Sequence, residues 1–222
     1  MPEPLELEGV QLATPQGGPL LDRLSWSLPA GGRMLLAPGP AAEALLRLGA
    51  GLLAPEAGIV RLGGLPLGPT TLEHPFRARG ALGWVPTEGG LLVNLGLCAN
   101  LALPLRFLRG LGRGEAEARA KEALVSAGLG ALAGHRPHAL APLERWLGAL
   151  LRAALLGPEL WMVAAPPQPL EGELRLRARA CLASSLAHPA VAALVVDGEG
   201  WVPEGPWRRL RIRDGCMEDA EA

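Results

Sequence analysis

Apolar and polar residues alternate loosely from Leu5 to Leu12, break over Thr14-Pro-Gln-Gly-Gly-Pro19, and resume from Leu20 to Leu28 with Trp26 and Leu28 on one face. A period of two interrupted by a turn-rich stretch predicts two strands joined as a hairpin. After the turn Pro29-Ala-Gly-Gly32, Arg33-Met-Leu-Leu36 reads as a short buried strand. Ala37-Pro-Gly-Pro40 breaks it, and Ala41 to Leu53 takes helical periodicity. The unit is therefore strand, tight loop, helix. Gly58 to Leu62 followed by Gly63-Gly64 predicts a further hairpin strand, and Ala81 to Val85 another.

From Gly89 the texture turns helical. Glu115 to Ala127 predicts an amphipathic helix with Ala118, Ala120, Ala123 and Leu124 facing inward. Leu143 to Leu156 predicts a second, more apolar helix, Leu160 to Val163 a short buried run, and Glu173 to Leu186 a third helix. Val191 to Val196 reads as a fully buried strand. Trp207-Arg-Arg-Leu-Arg-Ile-Arg213 alternates like an edge strand ahead of a turn at Asp214-Gly215. Strands alternating with helices, with one helical insertion, give an α/β fold with a mostly parallel sheet.

Composition narrows the function classes. Apolar residues make up 49% of the 222, too many for a disordered chain, while charged residues are 19% and the net charge is −1. That balance excludes binding to nucleic acid through a concentrated positive field. Cys98, Cys181 and Cys216 are odd in number and far apart, so they read as reduced thiols, not as a disulfide frame or a zinc site. The acidic start, Met1 to Glu8, does not read as a signal peptide, and no apolar run reaches about 18 residues. Work at a membrane would go through a partner.

The order of segments, and many of the residues, resemble the ATP-binding subunits of ABC transporters. Leu35-Leu-Ala-Pro-Gly-Pro-Ala-Ala-Glu-Ala-Leu-Leu-Arg-Leu48 stands where that family carries its P-loop and first helix. Leu82-Gly-Trp-Val-Pro-Thr87 is similar to the strand entering the Q-loop, and Pro137-His-Ala-Leu-Ala-Pro-Leu-Glu-Arg-Trp146 to the signature motif. Pro158-Glu-Leu-Trp-Met-Val-Ala-Ala-Pro166 resembles the Walker B strand, and Arg211-Ile-Arg-Asp-Gly215 the last strand and turn. The resemblance covers essentially the whole chain. It implies an ABC-type P-loop NTPase fold: a RecA-like core over residues 1–87 and 157–222, an N-terminal antiparallel β element, and a helical subdomain over about 88–156. A narrower resemblance, in Glu88-Gly-Gly-Leu-Leu-Val-Asn-Leu95 and Asn100-Leu-Ala-Leu-Pro-Leu-Arg106, is to the branch serving Mce-type (Mla-like) lipid transporters. Asn-x-Ala-Leu-Pro-Leu also occurs in other importer and exporter subunits, so the branch stays open.

The family's chemistry does not carry over with its framework. A P-loop wraps phosphate in backbone N–H groups, adds a Lys charge and holds Mg²⁺ through a hydroxyl. Here Ala37, Pro38, Gly39, Pro40, Ala41, Ala42, Glu43 and Ala44 fill that stretch, and the two prolines remove two donors. The lysine position falls at Glu43, or at Ala42 if one residue is deleted, and Lys121 is the only lysine in the chain. The Walker B strand runs into Ala164-Ala165 where the family has a metal-holding Asp and a catalytic Glu. The four aspartates are Asp22, Asp197, Asp214 and Asp219, and none follows that strand. Thr87 stands at the Q-loop glutamine, and Ala141-Pro142-Leu143 at the signature Ser-Gly-Gly. Glu171 stands at the D-loop aspartate and Asp197-Gly198 at the switch histidine, while His188 precedes its strand. The protein has no tyrosine to stack on adenine near Ala13-Thr14.

Some residues admit plainer readings. Glu144-Arg145 reads as a solvated helix start, Asp197 with Glu199 as a turn around Gly198 and Gly200, and His135 with His138 as a loop pair lacking a third ligand. Trp84, Trp146, Trp161, Trp201 and Trp207 read as core or interface, and Arg175, Arg177, Arg179 and the arginines from Arg208 to Arg213 as solvated faces.

The resulting expectation is a subunit that has lost ATP and Mg²⁺ chemistry, with no catalytic, nucleotide-binding or metal residue left. It would sit on the inner face of the cell membrane, bound to an integral permease and to a second nucleotide-binding subunit, itself or a paralogue. Leu91, Leu92, Leu95, Leu103 and Leu105 are expected to face the permease or the subdomain core. The alternatives are a free-standing regulatory or scaffold protein that reuses the fold, and an ABC ATPase with residual nucleotide binding.

Overall fold

The computed structural model describes residues 2–67, 82–198 and 200–220. Ala81 and Glu199, which figure in the expectations above, lie outside them. The elements are β1 (Leu5–Ala13), β2 (Pro19–Leu28), β3 (Arg33–Leu36), α1 (Pro40–Gly49), β4 (Ala57–Leu62), β5 (Leu65–Pro66) and β6 (Leu82–Val85). Then follow α2 (Leu97–Arg109), α3 (Arg113–Ser126), two 3₁₀ turns (Gly130–Leu132 and Pro137–Ala139) and α4 (Pro142–Ala154). The chain ends on β7 (Leu160–Val163), α5 (Gly172–Ser185), β8 (Ala192–Val196), β9 (Arg208–Arg213) and β10 (Cys216–Asp219).

Two sheets form. An antiparallel sheet runs β2-β1-β4-β5, with Leu5 opposite both Leu28 and Leu62. A six-stranded sheet runs β10-β9-β3-β8-β7-β6 and is parallel from β9 to β6. Its register sets Leu36 opposite Val196, and Val163 opposite both Val195 and Val85, so the carboxyl ends of four strands share one edge.

Strand alternation divides the interior between the faces of this sheet. Leu35, Val85, Trp161, Val163, Ala193 and Val195 point into a core shared with α2 to α5. Met34, Leu36, Leu82, Leu160, Met162, Leu194 and Val196 point into a second core, closed by α1 and the antiparallel sheet. With both faces covered, the central strands must be apolar throughout, which is why β7 and β8 read as uninterrupted apolar runs.

Two expectations change. β9 is not an edge strand: Asp214 (φ 50°) and Gly215 (φ 79°) turn the chain back into β10, which covers it. Arg208 grips Asp219 through two bonds of 2.6 and 2.8 Å, and Arg211 pairs with Glu218 at 3.1 Å. In α3 the inward residues are Ala116, Ala120 and Leu124, spaced by four, and Ala118 faces solvent.

Candidate functional site

Open α/β sheets bind ligands outside the carboxyl ends of their strands, so the loops leaving β3, β6, β7 and β8 define the place to look. Three residues, Ala37 to Gly39, connect β3 to α1, and Ala37 to Pro40 are exposed. The Ala37 amide donates to the carbonyl of Leu210 (2.9 Å). Gly39 is extended (φ 164°), and a Cβ built there meets nothing within 4 Å, so this position does not require glycine. Pro40 takes the first helical position and lacks an N–H. Glu43 is exposed in the first turn of α1, where its charge complements the positive end of the helix dipole.

At the end of β8 the Asp197 amide donates to the carbonyl of Leu36 (3.2 Å), and Gly198 packs against Pro38. The carboxylate of Asp197 accepts from the amides of Gly200 (3.0 Å) and Val202 (3.5 Å). It therefore closes a turn, in keeping with the plainer reading. His188 lies at the other end of β8, where its Nδ1 accepts from the Ala190 amide.

Beyond β7, Ala164 is buried and Ala165 partly so. The Ala164 amide donates to the carbonyl of Val85 (2.8 Å), and its own carbonyl accepts from the indole Nε1 of Trp146 (3.3 Å). Trp146, on α4, meets Trp201 edge to face at 5.1 Å between ring centroids, and both are fully buried. Among the described residues no three His, Cys, Asp or Glu side chains gather in a metal-binding group.

Ala141 caps α4 without a side-chain acceptor, Pro142 takes the first helical position, and Leu143 is partly buried. Glu144 accepts from the Ala141 amide (2.7 Å), and Arg145 donates to the carbonyls of Leu140 (2.7 Å) and Pro137 (3.3 Å). This pair fixes the helix start and is not merely solvated. Arg175 and Arg179 likewise differ from expectation, since both donate to the carbonyl of Gly200, at 2.7 and 3.0 Å. His135 and His138 are both exposed.

After β6, Thr87 is partly buried and Gly89 turns with φ 82°. A Cβ on Gly89 would lie 2.7 Å from the carbonyl oxygen of Arg145, so both conformation and space demand glycine here. Arg152 of α4 donates to the carbonyls of Gly90 (2.8 Å) and Gly89 (3.4 Å). Burial holds its guanidinium below the usual arginine range. Beside it opens an apolar groove of about 470 Å³, whose walls include Trp84, Leu92, Leu103, Phe107 and Leu156. Leu92, Val93 and Phe107 are exposed, Phe107 to 74%.

Of the five leucines expected to face the permease or the subdomain core, two line the groove and two lie in the core. Leu92 and Leu103 line the groove, and Leu95 is partly buried outside that lining. Leu91 and Leu105 are buried in the core with α3 and α4, because their positions turn toward those helices, and cannot offer a contact surface. Phe107, Arg152 and Leu156 were missed, lying on α2, on α4 and just beyond α4, while the sequence reads Trp84 only as core or interface. Periodicity within one element cannot collect them.

Comparison with known proteins places the chain. It is 32% identical over 212 residues to the lipoprotein-releasing system ATP-binding protein LolD of Chromohalobacter salexigens, covering 93% of this chain and 88% of that one. To the LolD of Jannaschia sp. it is 35% identical over 188 residues, covering 84% and 82%. The chain belongs to the ATP-binding subunits of ABC transporters. No protein-family profile matches it. The fold agrees with that of the ATP-binding cassette MJ0796, solved as a dimer bound to ADP and Pi, with a TM-score of 0.83 over 98% of this chain and 99% of that one at 20% identity. The stretch Ala37 to Ala44 carries one charged side chain, Glu43, and no Lys, Ser or Thr, and Ala141, Pro142, Leu143, Ala164 and Ala165 carry neither hydroxyl nor carboxylate.

Proposed function

We propose that this chain is a pseudo-ATPase: an ABC subunit that keeps the fold and its docking role and neither binds nor hydrolyses ATP. The observation that carries the reading is the β3–α1 connection. Three exposed residues, two flanking prolines and Glu43 in the first turn stand where phosphate would need amides, a hydroxyl and a lysine. A carboxylate there repels a triphosphate. Equilibrium titration of the purified chain with Mg-ATP, read by calorimetry and thermal shift, tests this. Heat or stabilisation at millimolar nucleotide overturns it.

The apolar groove is the proposed contact with an integral membrane permease. Its occupant is an amphipathic helix of that permease, with an apolar ridge against Leu92, Leu103 and Phe107 and an acidic flank. Charge supports this choice. Arg152 is the charged side chain in the lining, Arg106 sits over the Phe107 ring at 5.8 Å, and no acidic residue lines the groove among the described residues. Among the described residues no helix is long and apolar enough to cross a membrane. In this reading the subunit is peripheral, on the cytoplasmic face. The system served handles lipid or lipid-bearing cargo, a reading supported by the relatives named for lipoprotein release. The second cassette of the complex is a copy of this chain or a paralogue.

A further inference from the structure

Asn100 is the buried polar residue in a helix otherwise packed by leucine and alanine, exposed to only 1%. Its Oδ1 accepts from the amide of Leu92 at 2.7 Å. Its Nδ2 donates to the carbonyls of Leu92 (3.1 Å), Leu95 (3.1 Å) and Gly96 (3.3 Å). One amide partner and three carbonyl partners fix which way the side-chain amide points. Besides the Asn100 side chain, the segment is held by two backbone bonds, Leu95 donating to the Leu92 carbonyl at 3.2 Å and Asn100 to the Gly96 carbonyl at 2.9 Å, while Leu92 to Asn94 are exposed. That segment carries Leu92 into the groove wall and presents Val93 beside it.

We infer that Asn100 is the positioning residue of the docking surface, holding the Leu92–Gly96 loop in the shape that receives the partner helix. The inference rests on the groove being the permease contact, and a separate variant tests that premise. The side-chain chemistry is demanding. Aspartate would turn a carboxylate toward three carbonyl oxygens, leucine would leave the Leu92 amide and the Leu95 carbonyl without the partner they have here, and glutamine would overreach by one methylene. Asn100 is itself among the residues lining the groove, but at 1% exposed it acts through the loop it holds.

Two readouts on the full chain separate the possibilities. The first is amide hydrogen exchange at Leu92 to Leu95 in the isolated protein. Asn100→Ala and Asn100→Asp should each accelerate exchange at the Leu92 amide by about ten-fold or more, while β8 amides exchange as in the wild type. In Asn100→Asp, protection should partly return at acidic pH, when the neutral carboxyl again donates. A merely space-filling role would show no such return. The second is rebinding to urea-stripped inner-membrane vesicles of the native host, against protein-free liposomes of the same lipid extract. The wild type should bind the vesicles alone. Leu92→Glu should lose binding with wild-type exchange elsewhere in the chain, and Asn100→Ala should lose about ten-fold in affinity. Unchanged exchange in Asn100→Ala, or vesicle binding retained while Leu92→Glu loses it, overturns the assignment of Asn100. Wild-type binding by Leu92→Glu, or none by the wild type, overturns the docking premise instead, whatever Asn100 does to the loop.

Discussion

The indole of Trp146 donates to the carbonyl oxygen of Ala164, tying the helix that follows the signature position to the end of the Walker B strand. Trp201 completes the arrangement by meeting Trp146 at a right angle. Ala164, which the proposed reading sets at the end of the Walker B strand, thus lies at an apolar junction between α4 and the end of β7. Trp146→Phe removes the donor and leaves a small void, which should cost about 1–3 kcal/mol, and Trp201→Ala about 3–5 kcal/mol. Denaturant melts with unchanged slope test both values. A Trp146→Phe protein as stable as the wild type would show that the junction carries no load.

Restoring Walker B acids should harm this protein. Ala164 is 5% exposed and packs among Leu36, Met162 and Val196. A carboxylate there lacks a partner and enters a site without metal ligands, so Ala164→Asp should destabilise by at least about 2 kcal/mol. Adding Mg²⁺ should not recover the loss. Recovery by millimolar Mg²⁺ would mean that a metal site persists in latent form.

The β3–α1 connection gives a paired prediction. Gly39→Ala should fold and behave as wild type, since its backbone is extended and its surroundings are open. Glu43→Lys should lose roughly 0.3–1 kcal/mol at low salt by placing a cation at the positive end of α1. It should gain no affinity for ATP, because Pro38, Pro40 and the missing hydroxyl remain and such groups act as a unit. Nucleotide-induced stabilisation of Glu43→Lys would contradict this.

Much of the fold was legible in the sequence, and the exceptions have physical causes. The buried strands β7 and β8 announce themselves because both faces are covered, and Pro142 marks the start of α4. β9 reads as an edge because four of its six residues are arginines. In the structure two of them, Arg208 and Arg211, pair with Asp219 and Glu218 of β10. Ala118 was misplaced because α3 is built from small and charged residues with little amphipathic contrast. That no lysine stands near the β3–α1 connection follows from the residue inventory alone, since Lys121 is the lone lysine, and the loss of phosphate chemistry is the reading proposed from it. The Asn100 clamp and the Trp146–Ala164 bond were not legible. Both use backbone carbonyls as acceptors, and any residue supplies one.

The thiols should separate cleanly. Cys216 is exposed on β10. Burial pushes the Cys181 thiol up to about 12. The Cys98 thiol is raised first by burial and then by Glu117, whose carbonyl its Sγ approaches at 3.7 Å. Only thiolates react, so a disulfide reagent at pH 8 should modify one thiol per native chain quickly, and all three after denaturation. Fast loss of two thiols from native protein would place Cys98 or Cys181 in a more open setting.

Pairing gives the last prediction. In this family each ATP is held between the P-loop of one subunit and the signature of the other, so a subunit degenerate on one side can still leave one composite site working. On the reading proposed above both sides are altered, Gly39 to Ala44 on one and Ala141-Pro142-Leu143 on the other. A fully competent partner would therefore leave both sites incomplete, one lacking the P-loop and the other the signature. Nucleotide can shift a conformational equilibrium only by its differential affinity for the two states, and on the proposed reading that difference is close to nil. A complex containing this chain should thus be constitutive, held by apolar and arginine contacts, and its shape should not respond to Mg-ATP. Cysteines placed at Ala141 of this chain and at the partner's P-loop should cross-link with the same yield with or without nucleotide. A nucleotide-dependent rise in that yield would falsify the pseudo-ATPase reading, because only a site able to bind ATP can draw the two cassettes together.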